Sequence, residues 1–421
     1  MGHLEQELRR ALEEAGPSRT QLDTLVDRLE AAQSAPRRRL GRRAAVALAL
    51  CAALAVTAAA AGPSIRAALE KALGPFRAYS QELEGSVTVN GVEIRLLEAV
   101  TDGYSTRVYY TLTDLEGSRF NDHTRVSGRI STENLGAVAR AGGEVISYDP
   151  DTGALLAMAE LYGADFSRPA TLSIGAADPS WREFYTVLPV TVPETPIKTT
   201  VVDGRTVALP GQNTVADPDN ADYVVSTVGF DEEGRFHALV TFDEQFRDLT
   251  ATAYPYVPEA EGMDRYPGES DWVDWEKVEH GEDTITTGVT PEQVKYLEVS
   301  GSYRGPEEPV ELNVTLPLEL RPVESWTAEP GRAVDGVQVE KISLSPLSLA
   351  VFYRDSPESS VGQVILNRKD GAQVPLRMQI GGAVTREDPE LRYDFWAVDE
   401  PVELEDIASV TIRGETFPAA W

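Results

Sequence analysis

The residue types that could catalyse a reaction or bind a metal are few in this sequence and lie far apart. The histidines are His3, His123, His237 and His280, and no two of them have the spacing of a metal-binding pair. The one cysteine, Cys51, lies inside an apolar run, so no cysteine-based zinc or redox site is expected. The sequence contains no nucleophile elbow, phosphate-binding loop or zinc-protease motif. We therefore expect no enzyme, no cofactor and no metal.

One cluster of acidic side chains could be mistaken for a calcium loop. It consists of Asp217, Asp219, Asn220 and Asp222, directly before a predicted strand. The cluster lacks the central glycine and the distal glutamate that a calcium loop needs. A turn is therefore favoured over a calcium site.

A long acidic stretch, residues 254–282, departs from the strand pattern around it. It contains three prolines together with Trp272 and Trp275. Exposed aromatic rings can stack on sugars or peptides, so this stretch could be a ligand platform. The alternative is that both tryptophans close the edge of a β-sandwich, and we favour that interpretation.

The apolar run at residues 44–61 predicts one transmembrane helix. Its 18 residues carry no charge and would span about 27 Å as a helix. No lysine or arginine follows until Arg66, so the preceding basic cluster places the N-terminus in the cytoplasm. That cluster is Arg37, Arg38, Arg39, Arg42 and Arg43. Because eleven of the 18 residues are alanine, a cleaved signal peptide and a soluble helix remain alternatives; the 43 preceding residues favour a retained anchor.

The tail before this span, residues 1–43, predicts two short amphipathic helices. Gly16-Pro17 separates them, and Ser18 with Gln21 forms a capping box at the start of the second. The apolar face of the second helix contains Leu22, Leu25, Val26 and Leu29. Helices this short cannot bury both apolar faces alone. The tail is therefore either a weakly folded hairpin or oligomer contact, or a docking element for a cytoplasmic partner.

The region after the span is strongly acidic. The chain has a formal net charge of −30, and residues 1–43 hold nine arginines against seven acidic residues, so the remainder carries −32. This charge disfavours nucleic-acid binding and is typical of a solvated surface. Pro63 and Ser64 begin a helix, Ile65–Leu73, within a juxtamembrane segment at residues 63–77. We expect that helix to rest on the membrane or to seat the first β domain.

From residue 85 onward, alternating apolar residues and turn dipeptides predict strands. A strand–turn–strand pattern occurs at residues 92–114, 223–243 and 337–355, and its end points are 129 and 112 residues apart. Each spacing fits one immunoglobulin-like β-sandwich. Proline-rich strand ends at 186–197 and 313–323 predict boundaries between three such domains. The predicted domains cover residues 78–196, 197–325 and 326–421.

This layout resembles the bacterial domain-of-unknown-function family 4179, which occurs in membrane proteins of Gram-positive Firmicutes. The resemblance is carried by the span, by Pro63–Phe76 and by Ser86–Asp114, which reads SVTVNGVEIRLLEAVTDGYSTRVYYTLTD. It implies an anti-sigma factor, whose tail would bind an extracytoplasmic-function sigma factor. Zinc-type anti-sigma domains have a histidine and paired cysteines, which this tail lacks, so the resemblance implies a metal-free variant.

The expected fold is mainly β, with a short helical tail, one transmembrane helix and tandem immunoglobulin-like β-sandwich domains. We expect a single-pass signalling protein of the cell membrane, with extracellular domains that sense an unknown envelope ligand. Its other partners would be membrane lipid and a sigma factor, but not nucleic acid. The alternative is a cell-surface binding or adhesion protein whose tail only secures the membrane end.

Overall fold

The structure is a computed structural model that describes residues 62–421, except 118, 133–134, 165, 167–168, 203, 261, 275–280, 355–360, 385–387, 389 and 420–421. The predicted cytoplasmic tail and the predicted span at 44–61 both lie outside the described residues. Within the described part of the chain, no helix combines the length and apolarity needed to cross a membrane.

The described chain begins with a helix. Helix α1 is Gly62–Leu73, and a 3-10 helix, Gly74–Tyr79, continues from it. Ile65, Leu69 and Leu73 recur every four residues, which places them on one helical face, and all three are buried. The spacing that predicts the helix is therefore the spacing that packs it.

In the described residues, every other regular segment of six residues or more is a strand, so the prediction of a mainly β protein is confirmed. The first strands are Ser80–Glu82 (β1), Ser86–Val89 (β2), Val92–Thr101 (β3), Ser105–Asp114 (β4), Arg125–Thr132 (β5), Leu135–Asp149 (β6), Ala154–Ala164 (β7), Ala170–Asp178 (β8) and Trp181–Pro189 (β9). Next come Thr199–Val202 (β10), Arg205–Ala208 (β11), Val215–Ala216 (β12), Tyr223–Phe230 (β13), Phe236–Phe242 (β14), Arg247–Tyr256 (β15), Glu269–Asp274 (β16), Gly281–Thr287 (β17), Tyr296–Arg304 (β18) and Val310–Leu318 (β19). The last are Trp326–Ala328 (β20), Arg332–Val334 (β21), Val337–Leu344 (β22), Ser348–Arg354 (β23), Val364–Arg368 (β24), Gln373–Val374 (β25), Leu376–Ala383 (β26), Leu391–Val398 (β27), Ile407–Ile412 (β28) and Glu415–Pro418 (β29).

The chain forms two compact units. The first unit contains the described residues up to 177 and from 310 onward, and the second unit contains the described residues between 178 and 309. The second unit is thus inserted into the first. The three consecutive domains expected from the sequence, residues 78–196, 197–325 and 326–421, differ from this division, because strand patterns along a sequence do not indicate which strands share a core.

The same sheet order occurs three times. The large sheets run β1-β3-β4-β7-β6, β12-β13-β14-β17-β16 and β20-β22-β23-β27-β26. Their central hairpins, β3–β4, β13–β14 and β22–β23, coincide with the three predicted strand–turn–strand segments. We call these three parts the first, second and third repeats. The strand–turn–strand pattern in the sequence therefore corresponds to a repeated arrangement of strands in the structure.

A second sheet covers each large sheet. These smaller sheets run β19-β8-β5, β15-β18-β9 and β25-β24-β28-β29. In the first repeat, Ile94 and Val108 of the large sheet share a buried core with Ile130 and Leu172 of the smaller one. Corresponding cores lie between the sheets of the second and third repeats. Each repeat is therefore a two-layer β-sandwich with one hydrophobic interior.

The first two repeats have exchanged their closing strands. In the third repeat, β29 folds back directly on β28. The corresponding strand of the first repeat, β9, pairs instead with β18 of the second repeat. Strand β19, which follows β18 along the chain, pairs with β8 of the first repeat. Residues 186–197 and 313–323 were predicted to end the first and second domains. They begin within β9 and β19, and each of these strands completes the smaller sheet of the other repeat.

Proline explains why β9 does not fold back on β8. Only Pro179 and Ser180 separate the two strands. A two-residue hairpin needs positive φ at its first position, and the ring of proline fixes φ near −65°. The equivalent link in the third repeat is Arg413-Gly414, with φ of 47° and 84°, which suits a hairpin. The return link, residues 305–309, contains Pro306 and Pro309, so it also cannot continue a ladder.

The acidic stretch at 254–282 is more regular than the sequence suggests. It contains the end of β15, a 3-10 helix at Gly262–Arg265, and strand β16, which pairs with β17 along the edge of the large sheet. Trp272 is in that edge strand, and Trp275 lies outside the described residues. The expectation that this stretch departs from the strand pattern was therefore wrong for residues 269–274, because the acidic side chains obscured the alternation of the strand.

Candidate functional site at the first helix

Helix α1 is seated on the first unit by an apolar face. Its buried residues contact Leu97 and Leu156 in the large sheet of the first repeat and Leu347 in the third repeat. Burial of three aliphatic side chains contributes on the order of 1.5–3 kcal/mol each. The helix therefore packs against two repeats at once. Of the two expectations from the sequence, these contacts are those of a helix that seats a β domain.

Polar contacts hold both ends of this helical segment. At the start, the Ser64 hydroxyl donates to Asp149 Oδ2 over 2.6 Å, and this hydrogen bond lowers the pKa of the Asp149 carboxyl. At the end, the guanidinium of Arg77 in the 3-10 helix pairs with buried Glu98 of β3. Arg77 also lies 3.5 Å from Glu70 of the helix. A shift of the segment would have to break these contacts together.

A groove lies between this helix and the strands beneath it. Its volume is about 660 Å³. The residues that line it come from α1, β4, β6 and β7: Ala68, Lys71, Ala72, Arg107, Tyr109, Gly143, Glu144, Ile146, Ser147, Met158 and Glu160. A groove of this size can accommodate a small molecule or a short peptide segment.

Charges of both signs stand inside the groove. Arg107 Nη2 donates to the Tyr162 hydroxyl over 3.0 Å, and that hydroxyl donates to Glu160 Oε2 over 2.6 Å. Burial raises the pKa of Tyr162, so the hydroxyl keeps its proton and its place in this chain of hydrogen bonds. Lys71 and Glu144 add one further charge of each sign. The arrangement suits a polar ligand that presents complementary charges beside aliphatic carbons.

A second polar cluster, which sequence analysis missed, is buried in the second unit. His237 is 0% exposed, and its Nδ1 lies 2.8 Å from Asp283 Oδ2, while its Nε2 lies 3.3 Å from Asp231 Oδ2. Arg235 Nη2 pairs with Asp231 over 2.7 Å. Burial alone would lower the pKa of His237, but the two carboxylates together raise it above its ordinary value.

A third polar cluster joins the first and third repeats within the first unit. Asp102 is 0% exposed, and its Oδ2 accepts hydrogen bonds from Ser345 and Ser348 at 2.6 and 2.5 Å. Its Oδ1 accepts from the backbone amides of Tyr104 and Ser105, each at 2.7 Å. These hydroxyls and amides act as structural donors, since a buried carboxylate needs such partners.

The site residues predicted from sequence lie outside the described part of the chain. They are the arginine flank (Arg37, Arg38, Arg39, Arg42 and Arg43) and the docking face (Leu22, Leu25, Val26 and Leu29). Their roles therefore stay predictions.

The acidic cluster at 217–222 engages its side chains locally. Asp217 Oδ1 accepts from the backbone amide of Asp219 over 3.0 Å, and its Oδ2 accepts from the Tyr223 hydroxyl over 2.5 Å. Asp222 accepts from the Tyr303 hydroxyl at the same distance. These contacts are those of a turn that is fixed to the neighbouring strands.

Comparison with known proteins adds little to the geometry. No family model matches the chain, and no curated protein matches it. Among solved structures, a crystal structure described as the conserved domain protein from Bacillus anthracis is similar over 80% of this chain and 77% of that chain. The TM-score is 0.33 and the sequence identity is 11%.

Proposed function

We propose that the protein is a single-pass membrane signalling protein of the anti-sigma type. Its β-sandwiches, which we take to be immunoglobulin-like, lie outside the cell and sense an envelope condition, and its tail holds a sigma factor inside. The observation that carries this proposal is the helix α1, which polar contacts hold at both ends and which contains Gly62, the residue that follows the apolar run in the sequence. An anchor that served only for attachment would not need its first outer helix fixed at both ends.

The clamp supplies a physical route for a signal. The groove is formed by α1 and by strands of the first repeat, so a ligand that prefers one position of the helix shifts the population toward it. Because α1 directly follows the predicted span, any movement or local unfolding of α1 changes the forces on the membrane segment. The tail would then release or retain its partner, or the anchor would become open to cleavage.

Capture of a sigma factor by the tail is the direct test of the partner. We would use the full chain in detergent as bait in lysate of the native host, beside Leu25→Glu on the predicted docking face. Thr24→Glu, on the opposite face of the same predicted helix, adds the same charge and is the matched control. Recovery of a sigma factor by the wild type and by Thr24→Glu, but not by Leu25→Glu, is expected. Recovery of none by the wild type overturns the anti-sigma proposal.

A second experiment tests the coupling through the helix. Leu69→Ala removes a buried side chain of α1 at a cost of about 2–5 kcal/mol, which loosens the seat of the helix. Arg66→Ala, at an exposed position of the same helix, is the control. A sigma-dependent reporter in cells should change its output with Leu69→Ala and keep it with Arg66→Ala. Equal output from both variants, at equal protein abundance, would remove the helix from the signalling route.

Cell-surface binding or adhesion is the second candidate function. It is favoured by one observation, the exposed side chains of Tyr185 and Tyr266, which meet at Glu298 on one sheet face of the second unit. In that case the tail is dispensable, and deletion of residues 3–33 would leave binding at the cell surface intact. Loss of surface function on that deletion would argue against this candidate.

A further inference from the structure

The small sheet of the second unit has one apolar face and one aromatic face. On the side toward the core, Ala251, Ala253, Leu297 and Val299 are all buried. Because side chains alternate along a strand, the residues between them point outward. The register sets Tyr254 opposite Glu298, Tyr256 opposite Tyr296, and Ser300 opposite Tyr185. We call Tyr185, Tyr254, Tyr256, Tyr266, Tyr296 and Glu298 the tyrosine face.

Tyr266 reaches this face from the segment between the 3-10 helix and β16. Its ring lies 6.3 Å from that of Tyr254 at 81°, an edge-to-face contact, and 5.8 Å from that of Tyr256 at 50°. These separations are typical of favourable aromatic pairs. Tyr266 thus contacts two rings of the sheet and, through its hydroxyl, Glu298.

Glu298 is the polar centre of the face. Its Oε2 accepts hydrogen bonds from the hydroxyls of Tyr185 and Tyr266, at 2.8 and 2.9 Å, and its Oε1 accepts from Tyr266 at 3.1 Å. Among the side chains that the structure describes, no lysine, arginine or histidine is within ion-pairing distance of this carboxylate. Its negative charge is therefore held between aromatic rings without a counter-ion from the described chain.

The exposure of these rings is not required by the fold. Tyr185 is 64% exposed and Tyr266 is 36% exposed, and both belong to the small set of large apolar side chains that stay open to solvent in the described chain. Two such residues that hydrogen-bond the same carboxylate are adjacent rather than singly scattered, and scattered single residues are the exposure that needs no explanation.

We propose that the tyrosine face binds a quaternary ammonium group. The faces of aromatic rings attract cations electrostatically, and cages of such rings recognise methylated ammonium ligands. Glu298 adds a full negative charge, and the acidic surface outside residues 1–43 attracts cations at longer range. Because two tyrosine hydroxyls already donate to Glu298, and the Tyr266 proton is shared between both carboxylate oxygens, a methylated cation with no N–H donors fits better than a primary ammonium. This site does not depend on the signalling role and would serve either proposed function.

Titration of the full chain in a maltoside detergent with choline tests the proposal. Saturable binding is expected by calorimetry, with tetramethylammonium competing. Tyr185→Ala and Glu298→Gln should each weaken choline binding by about fivefold or more, from lost ring contact and lost charge. Thr250→Ala, at an exposed position on the same outward side of β15, should leave binding unchanged. Circular dichroism of each variant confirms that it has folded.

Three results would overturn the proposal. One is that choline does not bind the wild-type chain. Another is that Tyr185→Ala and Glu298→Gln both bind choline as the wild type does. The third is that a chitin oligosaccharide or lysine amide binds more tightly than choline and is the ligand that these two variants lose.

Discussion

Two clusters, one in each unit, bury a carboxylate completely but satisfy it in different ways. In the first unit, Asp102 is surrounded by neutral donors, two serine hydroxyls and two backbone amides. In the second unit, Asp283 faces the ring of His237 and accepts one backbone amide, from Ala208, over 2.8 Å. Its other oxygen, Oδ1, is buried and has no hydrogen-bond partner in the described chain.

The difference shows that the partners of a buried carboxylate decide whether its stabilisation depends on pH. Hydroxyl and amide donors keep their protons over the whole physiological range, so the partners of Asp102 do not change with pH. An imidazole ring changes its charge near neutrality, so the partner of Asp283 does. The first unit should therefore have the steadier interior, and the following experiments test this from the largest expected effect to the smallest.

His237→Leu should destabilise the second unit by about 3–5 kcal/mol. The substitution leaves Asp283 buried without the ring that pairs with it, while Asp231 keeps Arg235, and an uncompensated buried charge is costly. Urea unfolding of the full chain, followed by fluorescence, measures the loss. His123→Leu, at an exposed position, should stay within about 0.5 kcal/mol of the wild type. Equal stability of the two variants would mean that the buried cluster contributes nothing.

Asp102→Asn should destabilise the first unit by about 1–3 kcal/mol. One carboxylate oxygen is replaced by an amide that donates, so it would face donors on the serines or on the backbone. The cost is smaller than for His237→Leu because no charge is left buried. Asp122→Asn, on the exposed surface of the same unit, is the control, and a shift as large as that of Asp102→Asn would show that the buried contacts do not matter.

The stability of the second unit should fall as pH rises above neutrality. The pKa of His237 is raised in the folded chain above its unfolded value of about 6.5, so the histidine contributes its full stability below pH 6.5 and loses it as pH rises through the folded pKa. Asp231 has a lowered pKa and gives the opposite dependence at acid pH. Unfolding midpoints between pH 5 and 9 should show the fall in the wild type and in Asp102→Asn. In His237→Leu the fall between pH 6.5 and 9 should disappear.

Loss of a hydrogen bond to Glu298, a carboxylate near the surface, should have the smallest effect on stability. Tyr185→Phe removes one exposed hydrogen bond and should change the free energy of unfolding by less than about 0.5 kcal/mol. The same hydrogen bond from Tyr185 to Glu298 raises the pKa of Tyr185 to about 12. Glu298→Gln should therefore let Tyr185 ionise closer to pH 10, which ultraviolet absorbance detects. An unchanged titration would show that the bond does not form in solution.

Local chemistry predicted much of this fold. Asn90-Gly91 predicts a tight hairpin, and both residues have positive φ, 47° and 73°, between paired strands. The spacing of Ile65, Leu69 and Leu73 predicts α1. These features depend on residues close together in the sequence, whose preferences can be read without knowledge of the core.

The features that sequence analysis missed all depend on distant residues. Asp102 and Ser345 are 243 positions apart, and His237 and Asp283 are 46 apart, so no spacing rule brings them together. The strand exchange was missed because either closing strand could extend either sheet by the same backbone hydrogen bonds. One local signal was available: Pro179 stands where a hairpin turn would need a glycine.

The exchange has a consequence for how the chain could be divided. Ala177 and Val310 are paired neighbours in one sheet, so the two cut ends of the first unit lie about 5 Å apart. A two-residue Asn-Gly connection could bridge them in place of residues 178–309, as Arg413-Gly414 already does between β28 and β29. The shortened polypeptide should fold with the groove intact and without the tyrosine face. Residues 178–309 are thus an insertion that evolution can add or remove without changing the hydrophobic core of the first unit.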